Sequence, residues 1–297
     1  MAATETRVKR DIKDWQTAAP SWWCPGCGDF GVLAAMQRAL ANRGLNNEEV
    51  VVVSGIGCSG KITGYINSYS YHSLHGRATP PAQAIKLANK DLTVIVAGGD
   101  GDGYGIGAGH FVHAVRRNVD LTYIVMDNNI YGLTKGQVSP TSGLGFVTAT
   151  TPEGNQDQPV NPLALFLAAG GTFLAQGFSG DMKGLTAMIE AAIEHKGFSL
   201  INVFSPCVTF NKKNTYAWYR DVLVDVNSGE EIKHDPSNKQ MAMQRALDGR
   251  IYSGILYQEK RPSYIDHTPT LQGPALASLK IEDKSQWNYA AALEEFR

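Results

Sequence analysis

Three short apolar runs, each ending in glycines or amides, constrain this chain more than any other feature. Val50–Val53 is a continuous β-branched run that breaks into Gly55-Ile56-Gly57-Cys58-Ser59-Gly60. Leu92–Ala97 passes into the glycine-rich stretch Gly98–Gly109, and Leu121–Met126 into Asp127-Asn128-Asn129-Ile130-Tyr131-Gly132. Unalternating apolar runs of this length mark strands buried on both faces, as in parallel sheets covered by helices. The intervening segments read as those helices. Asp29 is placed to cap one that reaches about Arg43, with Val32, Leu33, Met36 and Leu40 on one face and Gly44 as its stop. Pro80–Asn89 opens with prolines, as helices tolerate, and another helix passes through His110, Val112, Val115 and Arg116. After a long loop over 134–161, a helix near Pro162–Ala169, a strand near Thr172–Ala175, a helix over Asp181–Lys196 and a strand over Phe198–Phe204 continue the alternation. The expected fold is α/β, a doubly wound and mostly parallel sheet.

The chain has 297 residues, enough for one large domain or two small ones. The pattern predicts an arm over 1–15, a ligand-binding domain over 16–210, and an extension over 211–297 that wraps the domain or a partner. A net charge of −1 argues against a nucleic-acid binder, which carries a basic excess. No run approaches the ~18 apolar residues of a membrane span. The first fifteen residues lack the apolar segment of a signal peptide, so a cytoplasmic protein is expected. Disulfides are rare there, and the four cysteines read better as metal ligands or catalytic thiols.

In open α/β sheets ligands bind outside the carboxyl ends of the strands. Three successive strands ending in glycines or amides therefore point to one ligand site. The first cluster matches the dinucleotide fingerprint Gly-x-Gly-x-x-Gly, but that motif wants a carboxylate about 20 residues on. Here that region is His72-Ser73-Leu74-His75-Gly76-Arg77, with none. A nicotinamide dehydrogenase is disfavoured on that ground. The second and third clusters work together. Asp100, in Gly99-Asp100-Gly101, and Asn128 end adjacent strands, so a carboxylate and an amide oxygen can share one hard cation, with a backbone carbonyl nearby. Mg²⁺ prefers such oxygens and bridges to phosphates. The glycines let backbone N–H groups approach a diphosphate at a helix N-terminus. The plainer alternative is an Asx turn at each strand end.

Cys24-x-x-Cys27, Cys58 and Cys207 are the only cysteines. Four thiolates suffice for a [4Fe–4S] cluster or a structural zinc. Cys58 lies at the ligand end of the first strand, which suits electron transfer better than a structural ion. The alternative is an inert pair with two buried single thiols.

Gly-Asp-Gly followed at this distance by Asn128-Asn129 resembles the thiamine diphosphate motif. Together with Trp-Cys-Pro-Gly-Cys-Gly at 23–28, Gly-Ile-Gly-Cys-Ser-Gly-Lys at 55–61, Leu-His-Gly-Arg-Ala at 74–78 and Asp-Asn-Asn-Ile-Tyr-Gly-Leu-Thr-Lys-Gly-Gln at 127–137, the chain resembles the β subunits of 2-oxoacid:ferredoxin oxidoreductases, nearest the 2-oxoglutarate type. The resemblance covers roughly residues 15–220. It implies the diphosphate-domain fold of thiamine diphosphate enzymes with a C-terminal wrapping tail. By that resemblance Asp100, the Asn128 side chain and the Ile130 carbonyl hold Mg²⁺. Ile56, Gly57, Cys58, Ser59, His75, Gly101, Asp102, Gly132 and Leu133 contact thiamine diphosphate, and Cys24, Cys27, Cys58 and Cys207 ligate a [4Fe–4S] cluster. The implied activity is coenzyme A-dependent oxidative decarboxylation of a 2-oxoacid, with electrons leaving one at a time to ferredoxin. A pyruvate type and a non-redox thiamine diphosphate decarboxylase or synthase are the alternatives.

Lys61 and Lys135 each follow a cofactor loop and are candidates for contacting a dicarboxylate substrate; solvated surface lysines are the plain alternative. His110 and His113, three apart on a helix, read as ordinary helix residues. Thiamine diphosphate enzymes pair a diphosphate domain with a pyrimidine domain carrying a catalytic glutamate. Only the first is legible here. An α subunit is therefore expected to supply the second, in an αβ heterodimer or a dimer of it.

Overall fold

The computed structural model describes residues 8–228, 233–280 and 288–294. Its strands are β1 (Val50–Ser54), β2 (Tyr69–His72), β3 (Thr93–Gly99), β4 (Leu121–Asp127), β5 (Phe173–Phe178), β6 (Phe198–Phe204), β7 (Leu223–Asp225) and β8 (Ile251–Gln258). They form one sheet in the order β2-β1-β3-β4-β6-β5-β8-β7. The first six pair in parallel, β8 lies antiparallel to β5, and β7 runs parallel to β8.

Helices α1 (Asp29–Asn42), α2 (Thr79–Ala88), α3 (Ala108–Arg117), α4 (Pro162–Ala168), α5 (Met182–Glu194), α6 (Tyr216–Val222) and α7 (Lys239–Leu247) accompany the strands. The strand period of two divides the core between the faces. Val50 and Val52 point to one layer, with Met36 and Leu40 of α1 and Ile189 of α5. Val51 and Val53 point to the other, with Phe111 of α3 and Phe166 of α4. Each such buried side chain contributes about 1.5–3 kcal/mol, so the central strands fasten both layers. This is the doubly wound architecture.

Several details differ from expectation. Gly28, not Asp29, caps α1; Asp29 opens its first turn, fully buried, and accepts a hydrogen bond from Ser205 Oγ at 2.6 Å. The arm expected over 1–15 ends earlier, because Ile12–Trp15 forms a 3-10 turn and Trp15 is buried completely; residues 1–7 lie outside the described residues. The boundary expected at 210 cuts through the sheet, since β7 and β8 come from beyond it. The Ile-Tyr-Ser-Gly-Ile-Leu-Tyr run of β8 is hard to see in the sequence because Ser and Gly interrupt it and its burial is partial. Residues 134–161 form a long loop without regular elements, as expected.

From β1 the chain moves to β2 on one side, then returns to β3 on the other. The β1/β3 boundary is thus a topological switch point, where the loops leaving the strand ends diverge and open a crevice.

Candidate cofactor cleft and thiol centre

A cleft of about 130 Å³ opens at that switch point. Ile56, Gly57, Cys58 and Ser59 line it from the loop after β1, and His75 from the loop after β2. Asp100, Gly101 and Asp102 line it after β3, and Asn128, Ile130, Gly132 and Leu133 after β4. Gly99, Tyr131 and Thr134 complete the lining, although no motif marks them individually as contacts. Lys61 and Lys135 are not among the lining residues, and Lys135 is exposed with a positive φ of 78°. A larger cavity of about 580 Å³, lined by residues such as His195, Lys196 and Arg261, lies elsewhere and includes none of the predicted residues.

Asp102 organises one wall. Its Oδ1 accepts the N–H of Ile56 (2.9 Å), the N–H of Gly76 (2.7 Å) and His75 Nδ1 (2.8 Å). Donation from Nδ1 leaves Nε2 as the lone-pair nitrogen of the neutral ring. Oδ2 is buried without a partner among the described residues. A Cβ at Gly55 would lie 1.8 Å from that oxygen, so the first glycine of Gly-x-Gly-x-x-Gly makes room for a carboxylate from the loop after β3. The fingerprint thus packs protein against protein. Asp102 directs its charge at these donors and positions the wall.

Asp100 lies on the other wall, and Asp127, itself outside the lining, stands close to it. Both are buried, at 1% and 3% exposure, and burial pushes both carboxyls up. Asp127 is pushed to about 7, by burial first and then by the nearby Asp100. Asp100 Oδ2 accepts from the hydroxyls of Ser139 and Thr141, and Asp127 Oδ1 lies 2.8 Å from the same Thr141 Oγ1. One hydroxyl proton cannot serve two carboxylates, so the pair is short of positive charge. The cleft lining contains no lysine or arginine to supply it. Asn128 Oδ1 accepts the N–H of Ile130 at 3.1 Å, so the Asx turn is present too, and one lone pair of that amide oxygen stays free. A buried carboxylate, an amide oxygen and a backbone carbonyl are hard donors, and they fit Mg²⁺. Asp127, Ser139 and Thr141 are the residues that sequence reasoning misses: Asp127 looks like one more turn residue, and the hydroxyls sit in a loop with no periodic signal.

The cysteines gather on the far side of Gly132. A Cβ there would lie 3.5 Å from Cys207 Sγ and 3.6 Å from Cys58 Sγ. The Cys24–Cys27 turn docks against both segments: Trp23 Nε1 donates to the Cys58 carbonyl (2.6 Å), and Gly28 N–H to the Pro206 carbonyl (3.1 Å). Burial pushes the Cys58 thiol up to about 11, and Asp29, Cys207 and Cys24 push in the same direction. Cys27 is raised further by burial, Asp29, Cys58 and Cys207. The four thiols therefore sense one another. Among the described residues no three His, Cys, Asp or Glu side chains are arranged to hold one metal ion, so the thiols are gathered but not closed around a single point. Four thiols in one neighbourhood are the donor set of a [4Fe–4S] cluster or of a structural zinc.

The chain matches known proteins along most of its length. A model of the thiamine pyrophosphate enzyme C-terminal TPP-binding domain matches residues 55–203, and one of the C-terminal part of pyruvate ferredoxin oxidoreductase beta subunits matches 207–273. The 2-oxoacid:ferredoxin oxidoreductase subunit beta of Saccharolobus solfataricus is 46% identical over 270 residues, covering 83% of this chain and 88% of the relative. The 2-oxoglutarate oxidoreductase subunit KorB of Mycobacterium tuberculosis is 45% identical over 224 residues, 74% of this chain and 60% of the relative. A solved 2-oxoglutarate:ferredoxin oxidoreductase from Magnetococcus marinus, with 2-oxoglutarate, coenzyme A and succinyl-CoA bound, matches with a TM-score of 0.87 at 41% identity, covering 97% of each chain. No helix among the described residues is long and apolar enough to cross a membrane.

Proposed function

Because this chain belongs to the β subunits of 2-oxoacid:ferredoxin oxidoreductases, we propose that its cleft holds thiamine diphosphate with Mg²⁺ and that its four cysteines hold one [4Fe–4S] cluster. The preferred substrate is 2-oxoglutarate, converted with coenzyme A to succinyl-CoA and CO₂ while ferredoxin is reduced; with a strongly reducing carrier the reaction runs backwards and fixes CO₂.

The observation that carries this reading is the double membership of Cys58. It lines the cleft and also stands with Cys207 against Gly132. A bound cofactor and a thiolate-held centre would then be neighbours, as electron transfer requires.

Asp100, Asn128 and the Ile130 carbonyl would hold the cation. The main chain around Gly57, Ser59 and Gly101, together with His75, would meet the cofactor. When bound, thiamine diphosphate supplies the electron sink for carbon–carbon cleavage and the cluster a one-electron store. The chain's own residues orient and neutralise. Asp102 fixes His75 in one tautomer, and Asp100 brings the cation to a diphosphate that has no lysine or arginine beside it in the lining. Residues 16–210 carry both cofactors. The segment 211–297, besides its strands, faces the α subunit, which brings the pyrimidine domain and the catalytic glutamate in an αβ heterodimer or its dimer. Lys135 reaches the distal carboxylate of the substrate, and Lys61, close enough to ease the Cys58 thiol's ionisation, adds positive charge there. The setting is the cytoplasm.

The test is anaerobic purification with the α subunit, iron and sulfide analysis, and an EPR spectrum after adding 2-oxoglutarate and coenzyme A. About four irons per β subunit and a reduced-cluster signal are expected. Zinc in place of iron, or silence with every 2-oxoacid, would overturn the redox reading. A signal with pyruvate alone would reassign the substrate.

A further inference from the structure

The two carboxyl oxygens of Asp100 have unlike surroundings. Oδ2 accepts from Ser139 Oγ and faces Thr141 Oγ1 at 2.7 Å, whose one proton it shares with Asp127 Oδ1 at 2.8 Å. An ion that reached this oxygen would have to displace one of these hydroxyls. Both donors come from the 134–161 loop, which is anchored at this point. Ser139 N–H donates to Ser142 Oγ (2.8 Å), Ser142 Oγ donates to the Asn129 carbonyl (2.7 Å), and Asn129 Nδ2 donates to Thr141 Oγ1 (3.0 Å). Ser139 and Ser142 are buried. These hydroxyls are therefore held in place and are not solvent-facing groups that drift onto a nearby acid.

We propose that Ser139 and Thr141 set the size selectivity of the cation site. By occupying Oδ2 they restrict Asp100 to one coordinating oxygen, which admits Mg²⁺ and discriminates against Ca²⁺. The inference rests on the cation site proposed above. Mg²⁺ takes six oxygens at about 2.0–2.1 Å and keeps several waters, whereas Ca²⁺ takes six to eight at about 2.3–2.6 Å and readily uses both oxygens of a carboxylate. Asp100, Asn128 and Ile130 offer one oxygen each under this restriction. The extra oxygen that a larger ion would recruit is Oδ2, and the loop has claimed it. Mg²⁺, which needs one carboxylate oxygen, loses nothing.

The experiment uses the complete complex with its α subunit, freed of cofactor and divalent ions by dialysis against chelator. Thiamine diphosphate is titrated by calorimetry in Mg²⁺ alone and in Ca²⁺ alone, and the readout is the ratio of the two dissociation constants. Ser139→Ala and Thr141→Val each remove a hydroxyl that covers Oδ2, and the Ca²⁺ disadvantage is expected to shrink about tenfold in the double variant, the worth of roughly one charged hydrogen bond. Thr141→Ser keeps the hydroxyl and is expected to keep the wild-type ratio. An unchanged ratio in both deletions, with native circular dichroism, overturns the proposal. If Thr141→Val does not fold, Ser139→Ala decides alone by the same ratio. Wild-type binding that needs no divalent ion would instead sink the cation site itself, a distinct result that removes the basis of this inference.

Discussion

Tyr131 occupies the space that a side chain at Gly101 would need. A Cβ on Gly101 would lie 2.1 Å from Tyr131 Cε1, and the tyrosine hydroxyl donates to the Gly101 carbonyl at 3.1 Å. The loop after β4 thus shapes the loop after β3, and the two cannot move independently. Gly101→Ala is expected to push the ring aside, at about 1–3 kcal/mol of strain, and to weaken thiamine diphosphate binding by roughly tenfold or more. Tyr131→Phe keeps the ring and is expected to cost only about 1 kcal/mol of stability. Calorimetric titration of both variants checks this; equal affinities for Gly101→Ala and wild type would show that the contact is idle.

Asp100→Ala removes the one carboxylate assigned to the cation. Loss of an indirect partner of a metal site costs about 10–100-fold in affinity, so a direct ligand should cost more than roughly 100-fold. Mg²⁺-dependent thiamine diphosphate affinity is the measurement, and retained affinity would falsify the assignment.

Cys58→Ser is expected to lower iron well below about four per chain and to abolish ferredoxin reduction. Iron analysis with EPR reads both. Full iron content would place the fourth ligand elsewhere.

Lys135→Ala is expected to raise KM for 2-oxoglutarate by about tenfold, the worth of one charged hydrogen bond. KM for pyruvate, which lacks a second carboxylate, should change far less. Equal changes for the two substrates would remove Lys135 from substrate selection.

His195 is buried away from the cleft, its Nε2 2.9 Å from Thr172 Oγ1 and its ring against Phe173. Burial lowers its pKa below the ordinary 6.5, against the opposing pull of Asp120 and Glu259. The unfolded chain therefore binds a proton near pH 6.5 that the folded one refuses. This contribution to stability is complete above that pH and is lost as pH falls from there through the lower folded value. His195→Gln should flatten the acid limb of a Tm-against-pH curve; an unaltered limb would assign it to other groups.

The sheet was legible because Val50–Val53, Leu92–Ala97 and Leu121–Met126 lie in strands covered on both faces and so are mostly apolar. The twelve cleft residues named from motifs lie together for a related reason: each follows a strand end, and parallel strands bring their ends to one edge. What escaped was what distant segments contribute. Asp102 is covered by a glycine 47 positions earlier, and Thr141 bridges two carboxylates from within an irregular loop. No local period encodes either relation. β2 is silent in the sequence because it is an exposed edge strand whose aromatic and polar residues carry no apolar run. β8 is silent because its burial is partial and its Ser and Gly interrupt the apolar run.

β8 has a consequence for synthesis. It pairs with β5, whose last residue is Phe178, yet the chain does not reach Gln258 until 80 residues later. Throughout that interval on the ribosome one row of N–H and C=O groups along β5 has no mate, and an open strand edge recruits other chains. The nascent protein thus passes through a window in which a neighbouring polypeptide competes for the place that its own tail will fill. Narrowing that window, by faster translation between β5 and β8 or by a chaperone resting on the edge, should raise the yield of native protein without altering the finished molecule.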